Sequence, residues 1–134
     1  MKVYPDTNVL LSGFFGGGLC KELLTRLIEG GHTLLIGEPV AREFCRIATD
    51  KFRVKPADLS LALEVMRRQM TVPAACANPF PSPDPDDAPI LACAVAGGAE
   101  YFVTGDKALL DLGKISNMVI LSPRQLFERL IAEG

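Results

Sequence analysis

The strongest constraint on the fold is a repeated alternation of short apolar segments with segments of helical periodicity. The apolar segments have the length of strands, and we predict strands over residues 2–5, 33–36, 101–103 and 118–121. Helical patterns lie between and after them, over residues 19–29, 39–49, 57–70, 88–96, 107–112 and 123–132. This alternation is typical of a parallel sheet covered by helices on both faces. The sequence therefore predicts an α/β fold class with three layers, α/β/α, around a central parallel sheet of four to five strands.

The length and composition predict one domain over residues 1–134. Apolar residues make up 49% of the chain and charged residues 22%, which is ordinary for a globular protein. No apolar run reaches the roughly 18 residues of a membrane-spanning helix, and no secretory signal is recognisable. We therefore expect a cytoplasmic protein without membrane association. The proline-rich stretch 73–85 is predicted to be an extended loop rather than a linker between domains, with a brief strand near Val72 as a further candidate.

Acidic residues follow the predicted strands and precede one apolar helix. Asp6 comes directly after the first strand, in a predicted exit turn over residues 6–8, and Asp106 comes after the strand 101–103. Ligand sites of parallel sheets lie beyond the carboxyl ends of the strands, so these two acids should share one edge. Three further carboxylates precede the helix at 88–96, those of Asp84, Asp86 and Asp87. Capping a helix needs only one. The pattern indicates a carboxylate cluster that binds a cation.

The best candidates for this cluster are Asp6, Asp87 and Asp106, with Glu43 as the fourth. Two carboxylates about 5 Å apart repel each other by about 3 kcal/mol at an effective dielectric constant of about 20, so four acids brought together would need protonation, a cation or greater separation. The only histidine, His32, lies alone in a Gly-rich turn, so a zinc site is not expected. The four cysteines lack metal-binding spacing and are predicted to be free thiols: Cys20, Cys45, Cys76 and Cys93. Oxygen ligands alone favour Mg²⁺ or Mn²⁺.

Each of these acids also has a structural alternative. Asp6 could form an Asx turn, and Asp87 and Asp106 could cap helices. Glu43 could be a surface residue that pairs with Arg42 or Arg46. The less favoured acids are Asp84 and Asp86 as caps or solvated residues, Asp111 as an extra acid near the site, and Glu38 as the residue that starts a helix.

The charge of the chain is unevenly distributed. The net charge is −2, but the segment from Arg42 to Arg68 carries seven bases and four acids. A basic segment beside an acidic pocket would suit a phosphate polymer that approaches a metal. A solvated helical face explains the same pattern equally well.

Four ordered motifs resemble those of PIN-domain nucleases. The motifs are Asp6-Thr7-Asn8-Val9-Leu10, Glu43 within a helix, Asp84-Pro85-Asp86-Asp87 before an Ile-Leu-Ala helix, and Thr104-Gly105-Asp106-Lys107. The resemblance covers nearly the whole chain and is greatest to the toxins of VapBC-type toxin–antitoxin systems. Pro5 departs from the pattern, because the family usually has an apolar residue there that can pair in a central strand.

The resemblance implies a Rossmann-like PIN domain that acts as a Mg²⁺- or Mn²⁺-dependent endoribonuclease. It implies that Asp6, Asp87 and Asp106 are metal ligands and that Glu43 completes the metal shell or orients the attacking water. Asn8 and Thr104 would hold the carboxylates by hydrogen bonds. It further implies an RNA substrate, a protein antitoxin and a homodimer.

Two other functions remain open from the sequence. A PIN-like module could bind RNA or a partner without cleavage. A phosphoacceptor receiver domain also carries acids beyond its strand ends, although it would need adjacent acids after an early strand.

Overall fold

The computed structural model describes residues 1–71 and 88–133, and strands and helices alternate along them. The strands are β1 (Lys2–Pro5), β2 (Thr33–Leu35), β3 (Met70–Thr71), β4 (Tyr101–Val103), β5 (Lys114–Ile115) and β6 (Met118–Leu121). The helices are α1 (Thr7–Leu11), α2 (Leu19–Glu29), α3 (Glu38–Asp50), α4 (Pro56–Gln69), α5 (Ala88–Ala96), α6 (Lys107–Leu112) and α7 (Pro123–Glu133). The predicted loop at 73–85 lies outside the described residues.

The six strands form one sheet in the order β3-β2-β1-β4-β6-β5. All neighbouring pairs are parallel except β5 and β6, which are antiparallel. Helices flank the sheet, which confirms the predicted α/β/α fold class. The sheet has six strands rather than four to five because β5 contains only two residues, too few to produce a recognisable pattern. Strand β3, also of two residues, lies next to the position of the brief strand predicted near Val72.

The five parallel strands have the order of a Rossmann sheet, in which the chain first moves outward from β1 and later returns to its other side. Receiver domains have a different order, with the first strand second from the edge. The receiver alternative is therefore wrong. The reversal of direction falls between β1 and β4, which is where ligands bind in such sheets.

The register of β1 and β4 brings their carboxyl ends level with each other. Tyr4 pairs with Phe102, and Pro5 pairs with Val103. As predicted, Pro5 is the last residue of its strand, where its missing N–H group costs little. The backbone N–H of Asp6 then donates to the carbonyl of Val103 at 2.8 Å. The residues that follow the two strands consequently lie side by side.

The segment after β1 differs from the predicted exit turn. Helix α1 begins at Thr7, with Asp6 as its N-cap, and continues as a π-helical segment over Ser12–Gly16. The difference arises because the Asp6 side chain accepts a hydrogen bond from the first helical N–H group. Val9 is buried on this helix, which fixes α1 against the core.

Helices on the two faces of the sheet make different contacts. Helix α2 packs on α7 and β2, whereas α3 contacts α1, α4 and α5. Among the described residues, no helix is long and apolar enough to cross a membrane.

The cysteine prediction needs one correction. Cys20 and Cys45 have free thiols, but Cys93 is disulfide-bonded. Cys76 lies outside the described residues. The spacing of cysteines in a sequence does not reveal which of them form disulfides.

Candidate active site

Asp6 is a buried carboxylate whose two oxygens are both held by hydrogen bonds. Only 8% of the residue is exposed. Oδ1 accepts from the backbone N–H of Thr7 at 2.8 Å, and Oδ2 accepts from the hydroxyl of Thr104 at 2.8 Å. Two donors from different elements thus fix the orientation of the carboxylate.

Thr104 joins the first acid to the last. Its side chain is fully buried, and its Oγ1 donates to Asp6 and accepts from the backbone N–H of Asp106 at 3.0 Å. Its own N–H donates to the carbonyl of Leu121 on β6 at 3.0 Å. One threonine therefore connects the ends of three adjacent strands.

Asp106 is exposed and caps α6. Its Oδ1 accepts from the backbone N–H of Ala108 at 2.9 Å. One oxygen of this carboxylate therefore has the helix-capping role that the sequence offered as an alternative. Its Oδ2 has no hydrogen-bond donor among residues 1–71 and 88–133 and is open to an additional ligand.

The electrostatic surroundings of Asp6 unite three of the predicted acids. Burial raises the pKa of Asp6 above its usual range, and the hydrogen bonds from Thr104 and Thr7 oppose that rise. The negative charges of Glu43 and Asp106 raise the pKa further. Glu43 and Asp106 are therefore close enough to Asp6 for their charges to act on it.

Glu43 lies half-buried on α3 and makes no ion pair with any described residue. Arg42 pairs instead with Glu38, at 3.4 Å, and Glu38 begins the helix as the sequence predicts. The alternative of a surface pair between Glu43 and Arg42 or Arg46 does not describe this structure. The negative charge of Glu43 is therefore not compensated by a described base, and it raises the pKa of Asp6.

A link between β1 and α3 was not recognisable from the sequence. The backbone N–H of Gly37, the N-cap of α3, donates to the hydroxyl of Tyr4 at 3.0 Å. A Cβ atom on Gly37 would lie 2.5 Å from that hydroxyl and 3.2 Å from Cβ of Cys93. Tyr4 precedes Asp6 by two residues, and α3 carries Glu43, so this contact sets the position of one acid relative to the other. The only sequence signal is a glycine directly before a predicted helix.

The other predicted residues are less closely associated with the site. Asn8 is exposed on the first turn of α1 and makes no hydrogen bond to a described carboxylate, and Asp111 is exposed on α6. The predicted positions Asp84, Asp86 and Asp87 lie outside the described residues. The roles of Asn8 and Asp87 stay predictions.

The side chains of the site offer the ligand atoms that a hard cation prefers. Asp6, Glu43 and Asp106 offer only oxygen atoms, which Mg²⁺ and Mn²⁺ prefer. Within the described ranges 1–71 and 88–133, no three His, Cys, Asp or Glu side chains are grouped closely enough to hold one metal ion. A metal at this site would need a further contribution, and Asp87 is the predicted one.

Comparisons with known proteins agree with this geometry. One similar structure is VapBC2 from Rickettsia felis, solved bound to a DNA fragment from its promoter, with 16% identity and a TM-score of 0.65 over 91% of this chain and 98% of the other. Another is the RRP44 PIN domain of T. brucei, with 16% identity and a TM-score of 0.52 over 98% of this chain and 82% of the other. No curated protein matches the sequence significantly.

The family comparison is independent of these structural likenesses. A family described as PIN domain matches residues 2–108, which include β1, α3, β4 and the start of α6. The matched range contains all four predicted acids. This chain belongs to the PIN domain family.

Proposed function

We propose that this protein is a divalent-metal-dependent endoribonuclease that acts as the toxin of a toxin–antitoxin pair. The observation that carries the proposal is the buried carboxylate of Asp6, held by Thr7 and Thr104 beside the charges of Glu43 and Asp106. Burying a charge near other like charges is costly unless a cation compensates it. Membership of the PIN domain family supports nuclease chemistry for such a cluster.

The proposed metal ligands are Asp6, Asp87 and Asp106. Asp6 has a fixed orientation, and Asp106 has one oxygen that no described donor occupies. When bound, Mg²⁺ or Mn²⁺ would lower the pKa of a water molecule and neutralise phosphate charge. Asn8 is the proposed supporting residue on α1.

The remaining chemistry falls to residues of the chain. Glu43 makes no ion pair with a described residue, so its carboxylate is available to orient the attacking water and accept its proton. Thr104 keeps Asp6 and the backbone of Asp106 in register through its hydroxyl. An acid set that is held in place before substrate arrives reduces the reorganisation needed for reaction.

The proposed partner is a protein antitoxin that covers the acidic site. The likeness to VapBC2 from Rickettsia felis supports this proposal. A homodimer and a cytoplasmic location stay predictions from the sequence. The alternative of a catalytically silent binding module is decided by the following experiment.

The test is cleavage of a labelled RNA pool by purified protein with added Mn²⁺, compared with the Asp6→Asn variant. Loss of the Asp6 charge should lower the rate by at least about a hundredfold, since metal binding and water activation both depend on it. Asp111→Asn is the matched control, because Asp111 is an exposed aspartate on α6.

Three results separate the possibilities. Mn²⁺-dependent cleavage that Asp6→Asn abolishes and Asp111→Asn retains would support the nuclease. Full cleavage by Asp6→Asn would refute the site assignment. RNA binding without cleavage by the wild type would support the silent module.

A further inference from the structure

A groove of about 640 Å³ lies between the π-helical segment and the start of α4. Its wall includes three aromatic and two basic side chains: Phe14, Phe15, Phe52, Arg53 and Lys55. We call this surface the aromatic groove. It shares no residue with the candidate active site.

The aromatic side chains form a fixed wall and one projecting ring. Phe15 stacks on Phe44 of α3 at 5.6 Å between ring centroids, and Phe14 packs edge-on against the same ring at 5.9 Å. Phe52, in contrast, is 49% exposed. A half-exposed ring beside a fixed wall is suited to stacking against a flat ligand.

The loop that carries Phe52 has an ordered backbone. The N–H groups of Lys51 and Phe52 both donate to the carbonyl of Ile47, and that of Val54 donates to the carbonyl of Ala48. Arg53 adopts a φ of +51°, an uncommon conformation for a residue with a side chain. Such backbone strain tends to persist where it presents side chains for function.

The basic side chains around this loop make no ion pair with the residues that the structure describes. They belong to Arg46, Lys51, Arg53 and Lys55. The other bases between Arg42 and Arg68 are paired with Glu38 or Glu64. Among the described residues of the groove wall, Asp58 is the one acid. Three of these four basic residues, Lys51, Arg53 and Lys55, lie between the end of α3 and the start of α4.

Both sides of the aromatic groove lead back to the candidate active site. Helix α1 begins at Asp6 and continues into the segment with Phe14 and Phe15. Helix α3 carries Glu43 and ends at Asp50, about 10 Å further along at 1.5 Å per residue. That distance corresponds to roughly three stacked nucleotides.

We propose that the aromatic groove binds single-stranded RNA that flanks the cleaved bond, with one base stacked on Phe52 and phosphates bound by Arg53 and Lys55. The proposal rests on the proposed nuclease function. Exposed aromatic rings interleaved with basic side chains are the usual means by which proteins bind single-stranded nucleotides. The exposed Leu61 and Val65 at the groove would also suit a protein partner. The basic side chains, which make no ion pair with a described residue, favour a polyanion instead.

The test is the affinity for a fluorescent single-stranded RNA of mixed sequence, measured by anisotropy in EDTA so that metal-dependent cleavage does not occur. Phe52→Ala should weaken binding about tenfold or more, as expected for one lost stacking contact. Ile131→Ala is its control, because Ile131 is similarly exposed, at 52%, but lies on α7.

The electrostatic part has its own variant and control. Arg53→Asn should weaken binding and reduce the slope of log affinity against log salt by about 0.7, the value for one phosphate contact on a single strand. Asparagine tolerates a positive φ, so the melting temperature should not fall. Arg124→Gln, at an exposed base on α7, should leave the salt slope unchanged.

The outcomes distinguish this inference from the proposed function. If Phe52→Ala binds RNA within twofold of the wild type while the wild type cleaves RNA, the aromatic groove is not an RNA site and the nuclease stands. If binding depends on Phe52 but no metal produces cleavage, the nuclease proposal fails and RNA binding at the groove stands. If Phe52→Ala changes only the oligomeric state in light scattering, the groove is a protein interface and the inference is overturned.

Discussion

At the scale of single residues, the candidate site depends on the surroundings of the buried carboxylate of Asp6. The two hydrogen bonds to Asp6 favour its charged form, whereas burial and the charges of Glu43 and Asp106 oppose it. The balance raises the pKa of Asp6, so its charged form is less favourable in the metal-free protein than it would be in water. The sequence revealed the acids through their positions after strands. It could not reveal the burial of Asp6, which only the assembled sheet produces.

The raised pKa of Asp6 predicts a specific dependence of stability on pH. The folded state holds the Asp6 proton more tightly than the unfolded state, whose pKa is about 3.9. The free energy of unfolding attributable to Asp6 should therefore fall as the pH rises from about 4 through the folded-state pKa. Each unit of difference in pKa corresponds to about 1.4 kcal/mol.

The measurement is urea unfolding in EDTA between pH 4 and 8 for the wild type and Asp6→Asn. Subtracting the two curves removes the contribution of the carboxylates that do not interact with Asp6. The wild type should lose stability relative to the variant as the pH rises. A constant difference across this range would show that the pKa of Asp6 is not raised.

The hydroxyl of Thr104 is a second feature at this scale. Thr104→Val keeps the shape of the side chain but leaves Asp6 Oδ2 and the N–H of Asp106 without their partner. We expect a loss of about 1–3 kcal/mol in the free energy of unfolding and a further rise in the pKa of Asp6. Thr104→Ser retains the hydroxyl, so its free energy of unfolding should fall by less than that of Thr104→Val. Equal losses of the two variants in urea unfolding would mean that the packing of the side chain matters and the hydroxyl does not.

At the scale of elements, the position of α3 relative to β1 decides whether Glu43 reaches Asp6. The hydrogen bond from Gly37 to Tyr4 sets that position at the first residue of the helix. Sequence periodicity predicted α2 and the core of α3 well, because each has an apolar stripe of several turns. It missed the antiparallel β5, because two residues carry no period, and it missed the contact with Gly37, because that contact joins residues distant in sequence.

A double-mutant cycle tests the contact between Tyr4 and Gly37. Gly37→Ala alone should destabilise strongly, because its Cβ would lie 2.5 Å from the Tyr4 hydroxyl. Tyr4→Phe alone leaves a buried N–H group without an acceptor, at a cost of about 1–3 kcal/mol. Tyr4→Phe also removes the atom with which the new Cβ collides.

The two losses should therefore not be additive. The double variant should be more stable than the sum of the single losses by about 1 kcal/mol or more, measured by urea unfolding. Additive losses would show that the hydroxyl and Gly37 act independently and that α3 is positioned by other contacts.

At the scale of the whole molecule, the strand order explains why acids from distant parts of the sequence meet. Strands β1 and β4 are neighbours in the sheet although almost 100 residues separate them, and the chain reverses its direction of growth between them. The alternation of strands and helices sufficed to predict this layered architecture and the edge at which Asp6 and Asp106 lie. The exact strand order could not be predicted, since the same alternation also fits the order of receiver domains.

If these acids converge on a divalent cation, Mn²⁺ should raise the thermal stability of the folded protein. A ligand that binds only the folded state at a hundredfold excess over its Kd stabilises it by about 2.7 kcal/mol. The melting temperature of the wild type and of Asp111→Asn should rise with Mn²⁺, whereas that of the double variant Asp6→Asn/Asp106→Asn should not. No rise in the wild type, or an equal rise in the double variant, would show that these acids do not form a cation site.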